Sequence, residues 1–179
     1  VLEQMQTDEL VADMVVDLLT SPHAVVRDEA QRVIALRPQW QKEVRALFSK
    51  LLELRELDDQ KAHMMESIML TFPDDQSFME LVGRSLSSEK TSMVVKVRLL
   101  AAISFMDSLP ESLTDHIRLV LGSSSPDVRG EALAIVLRFG PGKILAGKVH
   151  GIAADTGELP QVRVAALEAI LKHTGRVND

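Results

Sequence analysis

Apolar residues recur along the chain in short stripes with helical spacing, and the stripes come in pairs. The first stripe consists of Leu10, Val11, Met14, Val15, Leu18 and Leu19. After the polar turn Thr20-Ser21-Pro22 comes a second stripe, which consists of Val25, Val26, Ala30, Val33 and Ile34. Residues three and four positions apart lie on the same face of an α-helix, so this pair of stripes predicts a hairpin of two amphipathic helices.

Four further pairs of helical segments follow. The pattern places them at about 40–54 with 58–72, 76–87 with 92–107, 111–121 with 126–139, and 143–154 with 160–173. Residues typical of helix ends stand at the boundaries: Ser125 can cap a helix that begins at Pro126, and Gly140-Pro141-Gly142 permits a chain reversal. Because no segment alternates apolar and polar residues for long, the predicted fold class is all-α.

A short motif, Val-Arg-x-x-Ala, recurs near the start of the second helix in four of the pairs. Its arginines are Arg27, Arg98, Arg129 and Arg163, which stand 71, 31 and 34 positions apart. Since 71 is about twice the other spacings, we expect a degenerate copy near residue 61, where Lys61 takes the arginine position. The chain is therefore predicted to be a single domain, 1–179, of five units at about 8–38, 39–73, 74–109, 110–140 and 141–175.

An apolar helix, a short turn with Pro or Asp, and Val-Arg-x-x-Ala opening a second helix together resemble the HEAT repeat, in the short form called PBS-lyase HEAT-like. The resemblance is clear in Pro126-Asp127-Val128-Arg129-Gly130-Glu131-Ala132, whereas Lys61 departs from it. It implies a right-handed α-α superhelix, an α-solenoid of the armadillo type with about five hairpins, whose second helices line the concave side. It also implies that Arg27, Arg98, Arg129 and Arg163 form a structural ladder, bonding to turns and to carboxylates of adjacent repeats.

Composition fits such an array and excludes several kinds of site. Hydrophobic residues make up 46% of the chain but aromatic residues only 3%, so the core must be aliphatic. The lack of cysteine excludes disulfides, iron–sulfur clusters and thiolate zinc sites. The net charge of -6 argues against nucleic-acid binding, which needs a basic face. The acidity is N-terminal: residues 1–89 carry 9 Lys and Arg against 17 Asp and Glu, and residues 90–179 carry 11 against 9.

No group of residues predicts catalysis, a metal or a cofactor. The five histidines are dispersed along the chain as His23, His63, His116, His150 and His173. No His-Glu-x-x-His pair is present to seat a metal on one helical face. The acidic pairs Asp58-Asp59 and Asp74-Asp75 fall at predicted helix starts, where they are expected to act as caps. We therefore expect that the protein is not an enzyme and that it binds no cofactor and no metal.

The predicted function is a noncatalytic scaffold or adaptor that binds another protein or peptide along the solenoid surface. We expect the contacts at exposed polar positions of the second helices: Asp28, Gln31, Arg32, Lys96, Glu131, Arg138, Glu168 and Lys172. Two alternatives stay open. One is a chromophore lyase or isomerase subunit, which only the relatives of these short repeats imply, and the other is a nucleic-acid-binding array.

Targeting signals give little guidance. No stretch approaches the roughly 18 apolar residues that a membrane span needs, and the N-terminus lacks the basic and apolar pattern of a signal peptide. A cytoplasmic location is the default expectation. Because the chain begins at Val1, we expect a processed product or an excised part of a larger protein. The sequence leaves the oligomeric state open.

Overall fold

The computed structural model describes residues 12–174, which form ten α-helices and a short 3-10 turn, Pro38–Trp40, and include no strand. The first helices of the five pairs are α1 (Ala12–Leu18), α3 (Gln41–Leu52), α5 (Gln76–Ser87), α7 (Glu111–Val120) and α9 (Gly142–Ala154). The second helices are α2 (Ala24–Ala35), α4 (Asp59–Thr71), α6 (Met93–Ser104), α8 (Pro126–Phe139) and α10 (Pro160–Thr174). The all-α prediction is confirmed, with the boundaries from residue 40 onward correct to within three residues. Leu10 and Val11 lie outside the described residues.

The helices pack in two layers. Each odd-numbered helix packs against the even-numbered helix that follows it, and the even helices also pack in chain order, from α2 through α4, α6 and α8 to α10. In the odd layer α1 packs on α3, and α7 packs on both α5 and α9. The rings of Phe48 on α3 and Phe78 on α5 complete that layer, with centroids 4.6 Å apart. Contacts between successive pairs make the fold solenoid-like.

Local side chains set where several helices begin. Asp58 accepts a hydrogen bond from the Lys61 amide at 2.8 Å, and Asp75 accepts one from the Phe78 amide at 3.0 Å. These bonds satisfy amides that the first turn of a helix leaves without a partner. The predicted capping role is confirmed for Asp58 and Asp75. Gly140 ends α8 with a φ of 93°, a conformation that favours glycine.

The core between the layers is aliphatic and rich in methionine. Ala30, Ala132 and Ala166 on even helices are fully buried, and their small size lets neighbouring helices approach closely. The methionines that fill the middle of the core are Met64, Met65, Met69, Met79 and Met106. Flexible thioether side chains suit the irregular space between stacked pairs. No helix within residues 12–174 is long and apolar enough to cross a membrane.

Candidate interaction surface

Three of the repeated arginines donate to backbone carbonyls that precede their helices. Arg27 Nη1 donates to the Ser21 carbonyl at 2.8 Å, and Arg129 Nη1 donates to the Ser123 carbonyl at 2.5 Å. In both cases the carbonyl belongs to a residue six positions earlier. Arg163 reaches further back and donates from Nε to the Ala153 carbonyl in α9 at 3.4 Å. These bonds hold an even helix against the end of the odd helix before it.

Two of the repeated arginines connect successive pairs. Arg129 Nη2 lies 2.6 Å from Glu158 Oε1, and the two side chains are only 13% and 11% exposed. The Leu159 amide, followed by Arg129, holds the pKa of Glu158 below its ordinary range against the opposing effects of burial and Asp155. Arg98 Nη1 lies 3.9 Å from Glu66 Oε1 on α4. Each of the four arginines thus makes a contact within the array, and Arg129 alone bonds both to a turn carbonyl and to a carboxylate of the next pair.

The polar positions predicted to bind a partner are not equally accessible. Asp28, Arg32, Arg138, Glu168 and Lys172 are exposed. Gln31 on α2 and Glu131 on α8 are half-buried. Arg32 is also engaged within its own helix, where its Nη2 donates to both carboxylate oxygens of Glu29 at 2.8 and 3.0 Å. Exposure therefore supports five of the eight positions more strongly than the other three.

The expectation that all eight predicted contact positions are exposed is wrong for Lys96. It is only 8% exposed, because it lies three and four residues before Leu99 and Leu100, on the buried stripe of α6. Burial lowers the pKa of Lys96, an effect that the charge of Glu89 partly offsets. The helical spacing to Leu99 and Leu100 was the sequence signal that could have revealed this placement.

Arg138 is exposed but has a structural contact. Its Nη2 donates to the Met106 carbonyl at 2.7 Å, just beyond the end of α6, and its guanidinium carbon lies 5.2 Å from the centre of the Phe139 ring. A cation over an aromatic face is held electrostatically. Arg138 therefore ties α8 to the preceding pair.

An apolar groove, here called the Gly130 groove, crosses the starts of α6, α8 and α10. It encloses about 670 Å³. Its lining includes Met93, Val94 and Val97 of α6, Pro126, Gly130 and Glu131 of α8, and Gln161 and Val162 of α10. Met93 and Val94 are 47% and 46% exposed. The groove was not predicted, because only polar positions of the second helices were expected to bind a partner. The sequence signal for it was Val94, which lies three positions before the motif residue Val97.

The floor of the Gly130 groove is open because α8 carries glycine there. A Cβ added at Gly130 would meet no heavy atom within 4 Å. Arg98, Asp127 and Glu131 supply charge among the lining residues. The arrangement offers exposed aliphatic surface with charges beside it, which suits recognition of an amphipathic segment.

Reactive groups do not converge within the described residues. No group of three or more His, Asp or Glu side chains is placed to hold a metal ion between residues 12 and 174. The His116 Nδ1 atom lies 2.7 Å from Ser87 Oγ, and His173 Nε2 lies 3.0 Å from the Leu137 carbonyl. These histidines make separate contacts in different helix pairs.

Comparison with known proteins assigns no family: the chain matches no family model, no curated protein and no solved structure.

Proposed function

We propose that the protein is a noncatalytic interaction scaffold of the short HEAT-like kind, which binds a partner protein or peptide along the exposed surface of its even helices. The Gly130 groove is the observation that carries this proposal. It joins three successive even helices, so a segment lying in it would contact three repeats at once. Such an extended surface is the usual binding surface of helical repeat proteins.

Apolar contact supplies the affinity in this proposal. Fully burying a Val or Met side chain is worth about 1.5–3 kcal/mol, and Met93 and Val94 both have roughly half of their surface left to bury. Exposed ion pairs contribute about 0–1 kcal/mol each, so the polar positions of the second helices would add orientation and selectivity more than affinity. The partner segment should therefore present an apolar face toward α6 and α8.

Gly130→Gln tests the groove without removing a structural contact. The new side chain enters open space and replaces a helical glycine, so we expect the free energy of unfolding to rise by up to about 1 kcal/mol. Gly151→Gln on α9 is the matched control, because an added Cβ there also meets no heavy atom within 4 Å. A partner captured from a lysate of the producing cell should be lost from the Gly130 variant and retained by the Gly151 variant.

Site-specific crosslinking gives a second measurement, because the chain contains no cysteine. Val94→Cys, labelled with a benzophenone, places the crosslinker in the Gly130 groove. Ile144→Cys places it on α9 at a similarly exposed position. We expect the captured partner to crosslink to the Val94 variant and not to the Ile144 variant. Equal crosslinking at both positions, or equal capture by both glycine variants, would remove the groove from the proposal.

A further inference from the structure

A second groove, here called the Phe105 groove, lies at the opposite ends of the even helices. It encloses about 700 Å³ between the turn that joins α4 to α5 and the loop that joins α6 to α7. Met79 and Met106 are buried beneath it, while Leu70 and Phe105 keep much of their surface exposed. At 67% exposed, Phe105 is a large apolar side chain that the packing of the helices leaves uncovered.

Carboxylates are the charged groups of the Phe105 groove. Asp74, Asp107 and Glu111 line it and are exposed, and no lysine or arginine is among its described lining residues. The neighbouring Asp75 is already paired with Arg45 at 3.1 Å, and Arg138 is held at the Met106 carbonyl. The salt bridges of residues 12–174 include none to Asp74, Asp107 or Glu111. Their negative charge is thus directed to solvent at the rim of an apolar surface.

From this juxtaposition we propose that the Phe105 groove is a docking site for a basic segment of another protein, in which a large apolar residue is flanked by lysines or arginines. The apolar residue packs on Phe105 and Leu70, and the flanking cations approach the three carboxylates. Opposite charges at the rim select the partner and accelerate its association, while the apolar anchor supplies the affinity. The site is separate from the Gly130 groove, so either proposal can fail without the other.

A labelled synthetic peptide provides the direct test. The probe is fluorescein-labelled GKRLFKRG, with GEELFEEG as the charge-reversed control and GKRSSKRG as the control without an anchor. Fluorescence anisotropy with the full chain should show binding of the first peptide only, weakening as salt is added because exposed charges are screened. Binding of either control as tightly as the probe would overturn the proposal, as would failure of all three peptides to bind.

Paired variants then locate the peptide on the surface. Asp107→Asn with Glu111→Gln should weaken binding of the probe about tenfold, since rim charges are lost without a change of shape. Asp127→Asn with Glu131→Gln makes the same charge change at the Gly130 groove and should leave binding unchanged. Phe105→Ser should abolish binding, whereas Leu119→Ser, at a comparably exposed position on α7, should not. Melting temperatures of all four variants verify that each is folded.

The proposal would be contradicted if the variants of the Phe105 groove retained the peptide and the variant of the Gly130 groove lost it. Loss of binding in the Asp127 and Glu131 variant alone would place the peptide in the Gly130 groove. Sedimentation velocity of the wild type and Phe105→Ser tests a different occupant, a second copy of this chain. A dimer that Phe105→Ser dissolves would assign the groove to self-association and overturn docking of a basic partner.

Discussion

Gly83 on α5 shows how one residue sets the distance between two helices. A Cβ added there would lie 2.3 Å from Cδ2 and 2.7 Å from Nε2 of His116 on α7. The His116 ring is held in place by its contact with Ser87 Oγ at 2.7 Å, so it cannot move aside without losing a hydrogen bond. Glycine is required at position 83 by this close approach and not by its backbone angles.

We expect Gly83→Ala to lower the free energy of unfolding by about 1 kcal/mol. Overpacking costs about 1–3 kcal/mol, and the better helix propensity of alanine returns about 1 kcal/mol. Gly151→Ala, with open space around it, should instead raise the free energy of unfolding. Urea denaturation followed by fluorescence of the buried Trp40 measures both changes. Equal stabilisation by the two substitutions would show that His116 does not restrict position 83.

At the scale of the helices, much of the fold was predictable because the signals are local. Asp58 and Asp75 cap the helices that follow them, and the apolar stripes gave both the helices and their pairing. The contacts and grooves of the surface depend on packing between helices that are distant in sequence, which the periodicity alone does not show. The burial of Lys96 is the exception, because its helical spacing to Leu99 and Leu100 indicates it. Arg138, in contrast, binds a carbonyl 32 residues away. The Gly130 groove likewise needs three helices to be brought together.

Arg129 connects elements that are distant in sequence, and its loss should be felt across them. Arg129→Ala removes the hydrogen bond to the Ser123 carbonyl, for which we expect a loss of about 2 kcal/mol in the free energy of unfolding. It also leaves Glu158 without its guanidinium partner. Arg118→Ala is the control, because its ion pair with Asp115 is exposed and worth at most about 1 kcal/mol.

Arg129→Lys separates geometry from charge. A lysine retains the positive charge but cannot present two nitrogens to Ser123 and Glu158 in the fixed geometry of a guanidinium. Its stability should therefore fall between those of the wild type and Arg129→Ala. If all three proteins melt at the same temperature in differential scanning calorimetry, the repeated arginine does not stabilise the array.

At the scale of the whole molecule, ion pairs join successive pairs of helices through carboxylates, and two of these carboxylates have lowered pKa values. Asp75 at the start of α5 meets Arg45 on α3, and Glu158 before α10 meets Arg129 on α8. Burial opposes ionisation of Asp75, but hydrogen bonds from Ser77 and the Phe78 amide, with the charge of Arg45, lower its pKa below the ordinary value. A solenoid is stable only while neighbouring units remain coupled, so protonating these groups weakens the array as a whole.

The pH dependence of stability follows from the sign of these shifts. The pKa values of Asp75 and Glu158 are lower in the folded chain than in the unfolded chain. Between the folded and the unfolded pKa value of each group, the unfolded chain therefore binds more protons than the folded chain. Their stabilising contribution is complete above the ordinary values of 3.8 and 4.5, and it is lost as the pH falls through the lowered values.

Asp75→Asn with Glu158→Gln should therefore melt at a lower temperature at neutral pH and lose less stability on acidification. Melting curves recorded from about pH 7 to pH 3 test this expectation. Parallel dependence on pH in the wild type and the double variant would show that the two carboxylates do not couple acid to unfolding.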